Sequence, residues 1–273
     1  MKLLWLKKIG LVCLRVSLLL SLFLACCQSR LIYQPRAYDP ELVNKSDVRK
    51  LEYATDQGVQ RAWIHPAQAA GSRTVWLVFG GNGTVALDWL GWLPMRGERT
   101  FVLVDYPSYG ASEGNPSPAH VRASIVALLP ALAKELGTTP EALKPRLRVF
   151  GHSLGCSAAL MAMNELGVQR GLLLAPFTSM KDMAQKVVGW PCCEILYHRY
   201  DNIAELKRLE KRGDSRVIIR HGTADEVIPV EQARRLGQMF ASFVSYEDLP
   251  GARHNRVLNT HRTELHALMD QLE

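Results

Sequence analysis

The sequence predicts one α/β domain over residues 48–273, a mostly parallel, doubly wound sheet of about eight strands with helices on both faces. Three observations lead there. Short apolar runs alternate with longer helical patterns from residue 48 onward. Most of those runs are continuous stretches of Val, Ile and Leu, the pattern of central strands buried on both faces. Composition stays even: 48% hydrophobic and 22% charged, with 20 Gly and 14 Pro in 273 residues. These proportions exclude a disordered chain, a collagen-like repeat and a disulfide mini-scaffold, and the length suffices for one large core.

In chain order, strands are expected at 48–54 and 59–65, joined by an Asp56-Gln57-Gly58 turn that suits a hairpin. TVWLVF (74–79), TFVLVD (100–105), RLRVF (146–150), GLLLA (171–175), RVIIR (216–220) and FVSYED (243–248) supply the others. Helical patterns cover 84–96, 118–136, 154–167, 178–189, 230–241 and 255–272. Only residues 176–214 separate two strands by enough chain for a cap, and a short one; Met180, Met183, Trp190, Pro191, Cys192 and Cys193 in it are expected to roof a pocket. Trp89 and Trp92 are expected to add an apolar wall.

Ahead of the domain, residues 1–25 read MKLLWLKKIGLVCLRVSLLLSLFLA, a basic start followed by an apolar stretch, as in a secretory signal. The stretch from Val16 to Ala25 would reach only about 15 Å as a helix, half of a ~30 Å hydrocarbon core. A longer span would carry Arg15 near its middle, at considerable cost. Ala25-Cys26 resembles the cleavage box of bacterial lipoproteins, with Phe23 where Leu is usual. That resemblance implies lipidation of Cys26 and a membrane-anchored place in the cell envelope; an uncleaved anchor and another export route are the alternatives. Residues 26–47 then read as a leader or linker.

Formal net charge is +7, from 33 basic and 26 acidic residues. Lys2, Lys7, Lys8 and Arg15 lie in an acid-free stretch, which leaves 29 basic against 26 acidic residues elsewhere. So small a surplus makes no electrostatic footprint for nucleic acid, and no such partner is expected. The cysteines lack metal-site spacing, so no metal and no cofactor are expected. A disulfide among Cys27, Cys156, Cys192 and Cys193 stays open, with Cys156 more simply a small buried residue.

Two windows fit G-x-S-x-G, around Ser112 and Ser153. About 0.1 such windows arise by chance in a chain of this length, so context decides between them. A nucleophile on a strained strand-to-helix turn needs a strand before it and a helix after it. Ser153 follows RLRVF and precedes CSAALMAMNEL, whereas Ser112 has loop chemistry on both sides. Ser153 is the candidate nucleophile. A serine needs an imidazole to take its proton and a carboxylate to orient that imidazole, in the order Ser, acid, His. His254, in the turn after the last strand, fits the order; His65, His120 and His152 precede Ser153, and His221 precedes the acid. His198 lies in a connecting segment, while His261 and His266 are expected at the surface of the last helix. Asp225, directly after RVIIR, is the candidate acid, with Glu226 the nearest competitor and Asp201 a distant one. The oxyanion needs two N–H donors. Leu154 supplies one, and the glycine-rich loop 79–84 the other, at Asn82 with Gly81 as fallback.

The segments VDYPSYGASEGNPS, FGHSLGCSAAL, LLLAPFTSM, HRYDN, HGTADEVIP and GARHN stand in this order. Together they resemble the single-domain serine α/β-hydrolases that include membrane-associated protein depalmitoylases and their bacterial relatives, over roughly residues 48–270. The resemblance implies the α/β-hydrolase fold and a serine esterase or acyl (thio)esterase. Relatives carry His-Gly before the Asn of the oxyanion loop, where this chain has Gly80-Gly81. The expected substrate is an ester or thioester, with lipid or lipidated protein the guess that a membrane tether suggests. A non-catalytic envelope lipoprotein binding a lipid or partner on the same fold is the alternative, disfavoured because a binder needs no Ser, Asp and His together.

Overall fold

The structure is a computed structural model that describes residues 27–39, 47–68 and 73–273, with Val12, Arg15, Glu41 and Val43 besides. The signal segment expected over 1–25 otherwise lies outside the described residues, as does Cys26. Eight strands form one sheet: β1 (Arg49–Thr55), β2 (Gly58–His65), β3 (Thr74–Phe79), β4 (Arg99–Val104), β5 (Leu147–His152), β6 (Arg170–Leu174), β7 (Arg216–Gly222) and β8 (Val244–Leu249). Their spatial order is β1-β2-β4-β3-β5-β6-β7-β8. The β1–β2 hairpin is antiparallel and joins β4 antiparallel, while every pair from β4 to β8 is parallel. The continuous apolar runs of β3 and β5 are buried at every position, because both faces of the sheet are covered.

One face is covered by helices α1 (Pro118–Glu135), α2 (Leu154–Leu166), α4 (Asn202–Arg212) and α5 (Val230–Met239), whose apolar sides merge with Leu77, Val149 and Ile219 of the sheet. Between α2 and α4 in the chain lies α3 (Met180–Val188), a helix with no fully buried residue. The other face is covered by α6 (Arg262–Asp270) and the turn carrying Trp89 and Trp92, packed on Trp76, Phe150 and Ile218. Local signals explain the helix starts. Ser117 accepts from the His120 N–H ahead of Pro118 in α1, and Asp201 accepts from the Ala204 N–H at the start of α4.

Three expectations are corrected. The pattern at 84–96 is only a 3-10 turn at Ala86–Trp89, because its tryptophans and leucines fill the face beneath α6 rather than one side of a long helix. The pattern at 255–272 breaks at His261 into Val257–Thr260 and α6. The chain taken for a cap also contains α4, which packs on α2 as part of the scaffold. Beyond these three, part of the segment read as a leader, residues 28–33, packs on the domain. Residues 27–32 are helical, Gln28 and Tyr33 are buried, and Gln28 Nε2–H donates to Ile195 O at 2.8 Å while its Oε1 accepts from Tyr197 N–H at 2.8 Å.

Candidate active site

Four loops leave the carboxyl ends of β3, β5, β7 and β8 at one edge of the sheet, with β6 between β5 and β7, the edge where open α/β sheets meet ligands. Ser153 sits between β5 and α2 with φ 55° and ψ −119°, a conformation costly for any side chain and held by its surroundings. The turn closes because Gly155 lets α2 touch the end of β3. A Cβ on Gly155 would fall 2.1 Å from the Phe79 carbonyl oxygen and 2.6 Å from that of Gly80. The Ser153 N–H is fixed by Leu174 O at 2.9 Å.

His254, from the turn after β8, lies with Nε2 3.1 Å from Ser153 Oγ and Nδ1 2.7 Å from Asp225 Oδ2. A carboxylate only accepts, so Nδ1 carries a hydrogen, and the ring tautomer this fixes leaves Nε2 to accept from the serine hydroxyl. The other oxygen of Asp225 accepts from the N–H groups of Val227 and Ile228, both at 2.8 Å. Burial pushes the Asp225 carboxyl up, but the hydrogen bonds from His221 and His254 outweigh it and hold the group well below the ordinary carboxylate range.

The competing residues serve elsewhere. Glu226 accepts from the His254 backbone N–H at 3.2 Å and pairs with Arg253, and Asp201 caps α4. Ser112 Oγ accepts from Arg61 N–H at 2.8 Å within its turn. His198 is buried against Tyr33, 3.2 Å from its hydroxyl, and His266 leans on Trp92 with Nε2 2.8 Å from its carbonyl rather than lying free at the surface.

Chain order set aside two histidines that nevertheless join the site. His221, fully buried, places Nε2 3.1 Å from Asp225 Oδ2 and 2.8 Å from Ile228 O. Both partners accept, so Nε2–H is the shared donor and the acid is held from a second side. His152 donates from Nε2 to the His254 carbonyl at 3.2 Å. Burial, and then the neighbouring His254, hold its imidazole down to about 3, so it stays neutral. The signal for His152 was its adjacency to Ser153; for His221 it was the four-residue spacing to Asp225 at a strand end.

Asn82 and Leu154 face the same cavity as Ser153. The polar atoms of the Asn82 side chain are already engaged: Oδ1 accepts from Gln34 N–H at 3.0 Å and Tyr109 Oη–H at 2.6 Å, and Nδ2 donates to Ile32 O at 2.7 Å. What Asn82 offers the cavity is therefore its backbone, held in place by the segment before β1. The Gly81 carbonyl is used within the loop, accepting from the Thr84 hydroxyl at 2.8 Å.

The cavity holds about 500 Å³ and is lined mainly by apolar side chains, among them Met180, Met183 and Val187 of α3, Cys193 beyond it, and Leu31 and Ile32. Trp190 and Pro191 do not line it, and Trp89 and Trp92 stand in the core against Phe150 at ring distances of 5.5 and 4.7 Å rather than in its wall. Cys27, Cys156, Cys192 and Cys193 are free thiols; burial pushes that of Cys156 up, which keeps it protonated. Among the described residues, no His, Cys, Asp and Glu side chains group as a metal site.

Residues 75–193 match the family model described as "Alpha/beta hydrolase family". The chain is 28% identical to the uncharacterized protein YfhR of Salmonella typhi over 60% of its own length and 58% of the relative's. It is 29% identical to the human alpha/beta hydrolase domain-containing protein 17B over 56% of its own length and 49% of that protein's. The chain thus spans about half to three-fifths of the length of these curated relatives. Among solved structures, the Pyrococcus furiosus esterase Pf2001 superposes with a TM-score of 0.63 at 12% identity, covering 88% of this chain and 94% of that one. XC6422 of Xanthomonas campestris, described as an α/β serine hydrolase without lid, superposes at 0.57 and 14% identity, covering 83% and 96%.

Proposed function

Since the chain has the α/β-hydrolase fold, we propose that it is a serine hydrolase cleaving carboxylic esters or thioesters through an acyl-enzyme. One observation carries the reading: the His254 ring bridges Ser153 Oγ and Asp225 Oδ2 at 3.1 and 2.7 Å, and Ser153 lines an apolar cavity. Ser153 Oγ attacks the carbonyl carbon as its proton passes to His254 Nε2, and the carbonyl π pair moves onto oxygen. The N–H groups of Asn82 and Leu154 receive that oxyanion. The intermediate collapses with cleavage of the bond to the leaving alcohol or thiol, which takes the proton from His254. Water then repeats the sequence: His254 takes its proton, the acyl–serine bond breaks, and Ser153 regains the hydrogen as the acid leaves. Asp225 stays ionised throughout, fixing the tautomer and stabilising the imidazolium.

The acyl group belongs in the apolar cavity, which supports acyl-chain substrates such as a lipid or a lipidated protein. The same reading places the protein in the cell envelope, tethered through lipid on Cys26. A fluorophosphonate probe and p-nitrophenyl esters of two to sixteen carbons test it. Labelling and turnover lost in Ser153→Ala support the hydrolase. Labelling that survives that substitution, or its absence from the unsubstituted chain, would sink it and favour a non-catalytic lipid binder.

A further inference from the structure

Several exposed apolar side chains line the cavity or belong to the chain segments that do. Val187 is 82% exposed, Trp190 75%, Tyr197 60% and Leu31 56%, with Val188 and Val227 also exposed. These are six of the ten large hydrophobic residues exposed among the described residues, so the clustering is not general surface composition. Backbone and side-chain bonds hold the rim together: Cys193 N–H donates to Gly189 O at 3.0 Å, and Tyr197 N–H to Gln28 Oε1 at 2.8 Å. Leu31, Val187, Val188 and Val227 line the same cavity as Ser153. Arg30 and Lys186, both exposed, are the chain neighbours of Leu31 and Val187.

The occupant follows from this chemistry and from the chain's course. Exposed Trp and Tyr beside aliphatic residues, with cations at the edge, make a surface suited to the boundary between lipid headgroups and acyl chains. The apolar stretch Val16–Ala25 and Cys26 immediately precede Cys27, the first described residue of the helical segment that forms part of this rim. Whatever tethers those residues delivers the rim to the same bilayer.

We propose that the rim formed by Leu31, Val187, Val188, Trp190, Tyr197 and Val227 is a bilayer-docking surface, with Arg30 and Lys186 on anionic headgroups, so that an acyl chain enters the cavity directly from the lipid phase. The docking itself is independent of catalysis; only its kinetic consequence rests on the hydrolase reading.

The test uses the full chain with vesicles of phosphatidylcholine and phosphatidylglycerol carrying brominated acyl chains, which quench tryptophan on contact. Trp63, Trp76, Trp89 and Trp92 are buried, so apart from Trp5 in the signal-like stretch the residue open to quenching is Trp190. A quenched component that disappears in Trp190→Phe, and weakens in Lys186→Glu, is the expected result. In turnover, Trp190→Ser and Lys186→Glu should slow hydrolysis of a long-chain ester embedded in vesicles about fivefold or more, while a soluble butyrate ester is cleaved within about twofold of normal. Quenching identical with and without Trp190 overturns the proposal. So does a concentration-dependent dimer whose Trp190 emission ignores the lipid, which would assign the rim to a second copy of the chain. Quenching that depends on Trp190 in a chain without any esterase activity would keep the docking surface and remove the hydrolase reading.

Discussion

Asp225→Asn would cost activity through the geometry of the amide. Of the two Asp225 oxygens, Oδ1 accepts from two backbone N–H groups, of Val227 and Ile228, and Oδ2 accepts from His254 and His221. An asparagine must keep its carbonyl oxygen toward the two N–H groups, because its NH₂ there would meet two donors. The NH₂ then faces His254 Nδ1, which has to become an acceptor, and the ring hydrogen moves to Nε2. The atom opposite Ser153 Oγ is now a donor and can take no proton. Loss of the base tautomer in a triad costs about 10⁴-fold in kcat with little change in KM. His221 suffers at the same time: its Nε2–H also meets the new NH₂, and turning that nitrogen into an acceptor abandons the bond to Ile228 O at 2.8 Å. A buried polar group left unpaired costs about 1–3 kcal/mol, a few degrees of Tm for a chain of this size. Steady-state hydrolysis of a p-nitrophenyl ester and thermal unfolding measure the two effects. A variant retaining kcat within about tenfold of the unsubstituted chain would refute the role given to Asp225.

Three further outcomes are expected. The His152 imidazole is held down to about 3 by burial, whereas in the unfolded chain it takes a proton near its ordinary 6.5. The unfolded state binds more protons in that window, so stability present above pH 6.5 is lost as pH falls toward 3, by up to about 1.4 kcal/mol per unit; urea midpoints should show this slope reduced in His152→Gln. Asn82→Ala keeps the backbone N–H but releases the loop from Ile32, Gln34 and Tyr109, so kcat should fall about ten- to a hundredfold through misplacement alone, checked beside a circular-dichroism spectrum that stays unchanged. Ala184→Phe fills the cavity from α3 and should shift the preferred p-nitrophenyl ester to a shorter acyl chain while leaving the acetate ester's kcat/KM near normal; an unchanged chain-length profile would remove this cavity as the acyl site.

The sheet was legible because its central strands are continuous apolar runs whose burial needs no partner to be identified. The positions of Ser153 and Asp225 could be read for the same reason, each just past such a run, whereas His254 was read from its place in the turn after the last strand. Helix α4 had its signals, Asp201 before it and Gly213 in the left-handed conformation after it, but was absorbed into the cap expected around the methionines. What sequence could not show is contact between distant segments. Trp89 and Trp92 look like a pocket wall until α6 is laid over them. Residues 28–34 look like a linker because their bonds run from polar side chains and backbone to partners 48 to 170 positions away, a relation that no local periodicity records. The His221 and His152 contributions were hidden by the same rule that found His254, since chain order selects a base and says nothing of the groups that steady it.

The wall that residues 28–33 give the cavity bears on how the protein comes into being. Gln28 and Tyr33 leave the ribosome early, yet the residues that receive them, Ile195 to Tyr200, follow about 165 positions later. Contacts of such sequence separation form slowly, because a long loop must close before they repay the loss of freedom. Closing residues 28–33 onto Ile195 to Tyr200 is therefore the slow, long-range part of completing the cavity wall.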